Sequence, residues 1–275
     1  MRRRRTTVLL YTGATALSLV WLVPLMSAVM ISLRPLDESR QGWWRLGEAT
    51  FTFGNYVRAW REGLGAFALN SFVITLGSVA LTVLLGAVAA YAFIRMRFRG
   101  RDLAYFLLIT TMIVPLQLIL IPLLPWFRTL GLDRGAWQLL GIVLVHTAFG
   151  AGWAVFMVGG FMAEVPQETI EAAHIDGASH WQVFRRVVAP LAVPGIVSFA
   201  IIDFIFVWND LLLALTLLDR AFQPIQVGLA NLQSPHLSQQ DLVSAGAMIA
   251  ILPPIALFAT LNRYYVRGLF AGGGK

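Results

Sequence analysis

Five stretches of this chain, residues 6–33, 63–94, 103–127, 135–163 and 242–262, contain no Asp, Glu, Lys or Arg. Each reaches the roughly 20 residues that an α-helix needs to cross the hydrocarbon core of a bilayer. A sixth apolar block, 187–218, is interrupted only by Asp203 and Asp210. A carboxylate near the middle of a spanning helix costs about 2.5–3.5 kcal/mol on insertion scales. The flanking Ile201, Ile202, Phe204, Ile205, Phe206 and Val207 each return about 0.3–0.6 kcal/mol, so the block still inserts, with its carboxylates turned to protein or water. Charged residues make up 13% of the 275 positions, against about 25% in soluble domains, which excludes an ordinary soluble fold. The pattern predicts an all-α membrane protein, one domain over 1–275, with six transmembrane helices near 8–31, 71–94, 103–125, 137–161, 191–213 and 242–262.

The net charge of +7 would suit nucleic-acid binding if it were clustered, but 20 of the 21 basic residues are Arg and lie in short groups between apolar blocks. The basicity reads instead as membrane topology, with no nucleic-acid partner. With both termini cytoplasmic, 13 basic residues fall inside and eight outside, as the positive-inside bias requires. Residues 2–5, all Arg before an apolar run, also resemble a secretory leader, but the run is longer than a signal core and no small-x-small cleavage site follows. An uncleaved first span is the reading adopted. Absence of cysteine excludes a disulfide scaffold, a Cys-ligated metal and a thiol nucleophile. Trp43, Trp44 and Trp60, in the first outer loop, fit an interfacial belt, a short surface helix, or a contact surface for an external protein.

One loop stands apart, 164–190. Pro166 can open a short helix whose first turns carry Glu168 and Glu171, favoured at the positive helix end. Gly177 supplies a left-handed stop. Ser179 and Gln182 have capping-box spacing for a second helix with Trp181, Phe184 and Val188 on its inner side, and Pro190 leads into the fifth span. On the residues alone, the loop is either an amphipathic connector or a rigid knob whose small Ala172 and Ala173 let a partner close in.

Glu171-Ala172-Ala173, followed by Asp176-Gly177-Ala178, Phe184 and Pro190, resembles the E-A-A loop of binding-protein-dependent ABC importer permeases, which docks on an ATP-binding subunit. Val187 and Ala189 stand where that family usually has Ile and Leu. Trp208-Asn209-Asp210-Leu211-Leu212 and the ending Asn262-Arg263-Tyr264-Tyr265-Val266-Arg267-Gly268-Leu269 with its Gly-rich tail are similar to the smaller six-span partner of maltose-type carbohydrate permeases. The resemblance implies the type I ABC importer permease fold with a cytoplasmic coupling helix between spans 4 and 5, in a bacterial-type inner membrane. It also implies four kinds of partner: a second permease, with a heterodimer favoured, two ATP-binding subunits, an extracytoplasmic solute-binding protein, and a substrate of the sugar or polyol class. The coupling residues would be Glu171, Ala172, Ala173, Asp176, Gly177, Ala178, Phe184 and Pro190. ATP and Mg would be used by the partner, with no cofactor or metal on this chain. Arg263, Arg267 and Gly268, in the tail 263–275, would add a second ATPase contact or form a free end.

Intramembrane ionisable groups are functional candidates. Asp203 and Asp210 are two turns apart and share a face of one unbroken helix, so Asp203, Trp208, Asn209 and Asp210 are expected along the translocation path; the alternative is bonding to neighbouring helices. His146 reads as a packing residue, and no metal-binding spacing links His174, His180 or His236. Pro115, Pro122 and Pro125 should kink the third span. Gly272-Gly273-Gly274-Lys275 lacks the Ser/Thr and following helix of a P-loop, so the chain is not expected to be an ATPase or any other enzyme. An ATP-independent secondary transporter and an intramembrane aspartyl protease are the alternatives. A protease needs carboxylates on separate helices, and a secondary transporter needs no docking loop.

Overall fold

A computed structural model describes residues 2–45, 50–232 and 239–272. All its regular elements among these residues are helical. Among the described residues four helices are long and apolar enough to cross a membrane, and two sharply bent helix pairs bring the number of spans to six if each pair is one span. The chain divides into two compact units, Met1–Ala66 with Gly228–Leu252, and Phe67–Val227 with Pro253–Lys275.

In the first unit, α1 (Arg2–Ser32) leads into a folded connection with two short helices, α2 (Leu36–Arg40) and α3 (Gly54–Ala59). Asn55 explains the fold of this connection: its side-chain amide donates to the carbonyls of Ser32 and Arg34 at 3.0 and 2.7 Å. Arg34 is itself buried and donates to the carbonyls of Gly42 and Arg45. A π turn, Trp60–Leu64, carries α3 into the next long helix, whose first turn begins at Gly65. Arg58 of α3 pairs at 3.5 Å with the buried Asp241.

The second unit holds most of that long helix, α4 (Gly65–Arg95). The third span comes as α5 (Arg101–Thr110) and α6 (Leu116–Thr129), with a 104° bend between them. The break falls at Pro115, which holds Val114 in an extended conformation because proline crowds a helical residue before it. Pro122 and Pro125 lie inside α6. Next is α7 (Trp137–Ala163), then α8 (Gln167–Ile175), α9 (His180–Val183), a π turn at Phe184–Val188, α10 (Ala189–Leu191) and α11 (Val193–Trp208). The expected unbroken span over 191–213 is not observed. The helix stops at Trp208, and α12 (Leu212–Leu217) starts afresh. α13 (Ile225–Leu232) and α14 (Gln240–Gly272) complete the chain.

α4, α7 and α11 enclose one of the buried clusters of this unit. Ala87, Ala90 and Tyr91 of α4 pack on Ala154, Val158 and Met162 of α7 and on Phe199 of α11. Small residues at the contact let the backbones approach closely, the usual device where lipid supplies no hydrophobic drive between helices. At the opposite end of these helices, Gln138 and Asp219 bond twice, at 2.6 and 2.7 Å. Asn70 holds the carbonyls of Ala221 and Gln223.

Candidate functional site

The 164–190 loop folds as a bent pair of helices. Pro166 caps α8 one position outside the helix. The stop is built around Gly177, at φ +82. Gly177 N donates to the His174 carbonyl and Ala178 N to the Ala173 carbonyl, both at 3.0 Å, the paired bonds of a Schellman motif, which needs a left-handed residue at the position of Gly177. Ser179 then caps α9. Its hydroxyl accepts from Gln182 N, and its own N–H donates to Gln182 Oε1 at 2.7 Å.

Beneath the bend, Val165, Ile170, Val183, Phe184 and Val188 are buried against α4 and α7. The Phe184 ring lies 5.3 Å from that of Tyr91. Trp181, expected on this inner side, is 56% exposed. Phe184 and Val188 are buried as expected, with Val183 beside them, and the Trp181 ring lies against that of Phe184 at 5.3 Å. The outer surface offers Glu171, Ala172, Asp176 and Gly177, together with Ile175, which is 86% exposed. Ala173 and Ala178 are half-buried and Pro190 is exposed.

Arg95, at the end of α4, fastens the loop to the helices. Its guanidinium donates to the carbonyls of Met162, Ala163 and Val165, the shortest bonds being 2.6 Å, and to Gln167 Oε1 at 3.2 Å. Gln167 in turn donates to Glu171 Oε1 at 3.0 Å. One cation thus satisfies carbonyls left open at the α7 C-terminus, where positive charge is favoured, and extends through Gln167 to the first residue of the Glu-Ala-Ala run. In the sequence Arg95 is simply one of the 13 basic residues on the inner side. Its partners lie 67 to 72 residues away, and nothing local marks them.

The second group of candidates lies between the helices. Asp203 is 5% exposed. Thr82 of α4 is its hydrogen-bond partner. His146 Nε2 of α7 is 3.7 Å from Asp210 Oδ2. The two carboxylates do not share a helix. Asp210 accepts from the backbone N–H groups of Leu213 and Ala214 at 3.3 and 3.1 Å, so it caps α12 at the break. Trp208 is 1% exposed, enclosed by Phe72 and stacked on Phe204, and this takes its ring off any open path. Asn209 is exposed, donating to the Ile205 carbonyl and accepting from Gln226. Of the four, Asp203 lines a cavity, together with Phe149, Trp153 and Phe206.

His174 and His180 meet edge-on at the bend, and His236 lies outside the described residues. Arg263, Arg267 and Gly268 belong to the last turns of α14, and their side chains lie outside the described part. No group of three His, Asp or Glu that could hold a metal occurs among the described residues.

The family described as "Binding-protein-dependent transport system inner membrane component" matches residues 82–270. The chain is 36% identical to the osmoprotective compounds uptake permease protein GgtD of Synechocystis sp., over 97% of this chain and 91% of that one. It is 35% identical to the trehalose transport system permease protein SugB of Mycobacterium tuberculosis, over 92% of each. Its fold matches a chain of a bacterial ABC transporter involved in import of the acidic polysaccharide alginate. The TM-score is 0.82, with 22% identity over 95% of this chain and 97% of that one.

Proposed function

This chain belongs to the inner membrane component family of binding-protein-dependent transport systems, and from that premise we propose that it forms half of the pore through which a sugar or related polyol is imported. It is a permease subunit that spans the inner membrane. Its termini face the cytoplasm. A second, different permease completes the pore, and an extracytoplasmic solute-binding protein delivers the substrate. Two ATP-binding subunits, using ATP and Mg, supply the energy that this chain does not.

The observation that carries the reading is the shape of the 164–190 loop. A carbonyl-bound Arg95, a Schellman stop and a capping box fix two short helices at one angle, and their outer face presents Ile175 and Trp181 with the small Ala172 between charged neighbours. A flexible connector would not need three independent restraints. A lever that transmits ATP-driven movement would. The coupling surface comprises Glu171, Ala172, Ala173, Asp176, Gly177, Ala178, Phe184 and Pro190, with Phe184 acting from beneath. The tail with Arg263, Arg267 and Gly268 adds a second ATPase contact. The sugar class is supported by the relatives, one of which is a trehalose transport permease.

Purification of the chain from its native membrane tests this reading. The expected result is recovery with an ATP-binding subunit and a second permease, and ATPase activity stimulated by a sugar-loaded binding protein. Recovery without an ATP-binding subunit would overturn it.

A further inference from the structure

Arg97, Arg99 and Arg101 alternate along the turn from α4 into α5. The turn lies at the same end of the helices as the 164–190 loop, because the nearby Arg95 bonds the carbonyls of Met162 and Val165. Rings fix its shape: Phe93 of α4 packs on Phe98 and on Tyr105 of α5, at 5.8 and 5.7 Å. The turn bounds a cleft of about 410 Å³, lined by Arg97, Phe98, Arg101, Asp102 and Leu103.

Two properties of this cleft select its occupant. The first is charge. Asp102 pairs with Arg101 at 2.8 Å and so neutralises one cation. Arg97 and Arg99 are exposed, and neither has a carboxylate partner among the described residues. The cleft therefore keeps an excess of positive charge, and the arginine fork matches the oxygens of a phosphate.

The second property is the apolar row that leads out of it. Leu103, on the cleft wall, is followed at helical spacing by Phe106 and Leu107, and all three are more than half exposed. No residue of α5 is buried, and α5 is the first half of the bent third span. A cationic cleft thus passes directly into an apolar strip at membrane depth. A soluble anion would use only the cleft, whereas an anionic amphiphile uses both. Basic pockets at the membrane edge attract anionic lipid headgroups in this way.

We infer that the α4–α5 turn is a binding site for an anionic phospholipid of the adjacent leaflet. Arg97 and Arg101 hold its phosphate diester, and an acyl chain lies along Leu103, Phe106 and Leu107.

The test uses the whole complex in phosphatidylcholine bilayers that contain a trace of phosphatidylglycerol with a photoreactive diazirine on its acyl chain. After irradiation, adducts on this chain are mapped by mass spectrometry. Labelling within residues 103–107 should exceed at least about fivefold that by the same probe with a choline headgroup. Unlabelled phosphatidylglycerol should compete for it, and inorganic phosphate should not. Arg97→Gln/Arg101→Gln should lower the labelling about 25-fold, from about fivefold for each arginine near an anionic surface. If that variant does not assemble, Arg97→Gln alone should lower it about fivefold. Asp102→Asn releases Arg101 and should raise it about fivefold. Arg3→Gln/Arg4→Gln takes two positive charges from the N-terminus instead and should leave it within about twofold. Equal labelling by the two headgroups overturns the site, as does a fall with Asp102→Asn. An equal loss with the N-terminal variant would reduce the effect to net charge and overturns it as well. Competition by inorganic phosphate would make the ligand a soluble anion, and no adduct within 103–107 would mean a cleft covered by protein; either result overturns the lipid site.

Discussion

Replacing Arg95 by Ala removes the cation that fastens the 164–190 loop to α7. The wild-type guanidinium reaches three carbonyls and the Gln167 side chain, with distances from 2.6 to 3.2 Å. A single buried hydrogen bond to a charged group contributes about 1.5–3 kcal/mol, and a cation at a helix C-terminus about 0.3–1 kcal/mol. Here the bonds share one partly exposed side chain and water can replace some of them, so they do not add. About 2 kcal/mol for the whole cluster is the reasoned value, which corresponds to roughly a 30-fold rise in local opening at 1.4 kcal/mol per tenfold. Amide hydrogen exchange reports such local opening directly. In the purified complex, amides of residues 167–188 in the Arg95→Ala variant should exchange about 30 times faster than in wild type, while those in the middle of α7 keep their protection. Arg95→Lys should fall between, because an ammonium keeps the charge but loses the fork of donors. Exchange within threefold of wild type across 167–188 would refute the view that Arg95 holds the loop.

Three further outcomes follow from particular residues. Gly177→Val forces a β-branched side chain into the left-handed region at φ +82, a strain of about 1–3 kcal/mol, and should lower binding-protein-stimulated ATPase activity or release the ATPase subunit; unchanged stimulation would contradict the coupling role. Asp210→Ala removes two bonds to the start of α12 and should cost about 1 kcal/mol in thermal stability of the detergent-solubilised protein, while Asp210→Asn keeps most of it; equal losses would show that the charge, not the cap, matters. Glu38 accepts hydrogen bonds from Thr50, which hold its carboxyl below the usual 4.5. The bonded form is thus favoured above that value, and its contribution is lost as pH falls through the lower, folded value. Protection from exchange in residues 36–45, relative to the intrinsic rate at each pH, should fall on acidification below about pH 4.5, and Glu38→Gln should remove that dependence.

The spans were legible because each is a local property: a run without charge needs no knowledge of its neighbours. The bend at Gly177 and the cap at Ser179 were legible for the same reason, since their bonds close within three to five residues. What failed was continuity. Two-turn spacing placed Asp203 and Asp210 on one face of an unbroken helix, but Asp210 competes for the backbone N–H groups of Leu213 and Ala214 and starts a new helix. Asp210 instead meets His146 of α7, which the sequence suggests only as a packing residue. Trp181, expected inside, lies at the edge of the buried face against Phe184 and stays 56% exposed. Among the three prolines of the third span, Pro115 makes the break while Pro122 and Pro125 stay within α6.

The central claim is that the 164–190 loop is the surface through which a separate ATPase drives this permease. Ile175, which is 86% exposed, can be replaced by a photoreactive benzophenone amino acid and the intact complex irradiated in lipid. The expected result is a covalent adduct between this chain and the ATP-binding subunit, lost when the same group replaces Leu107 of α5, which is exposed away from the loop's helices. An adduct confined to lipid, or equal capture from both positions, would contradict it.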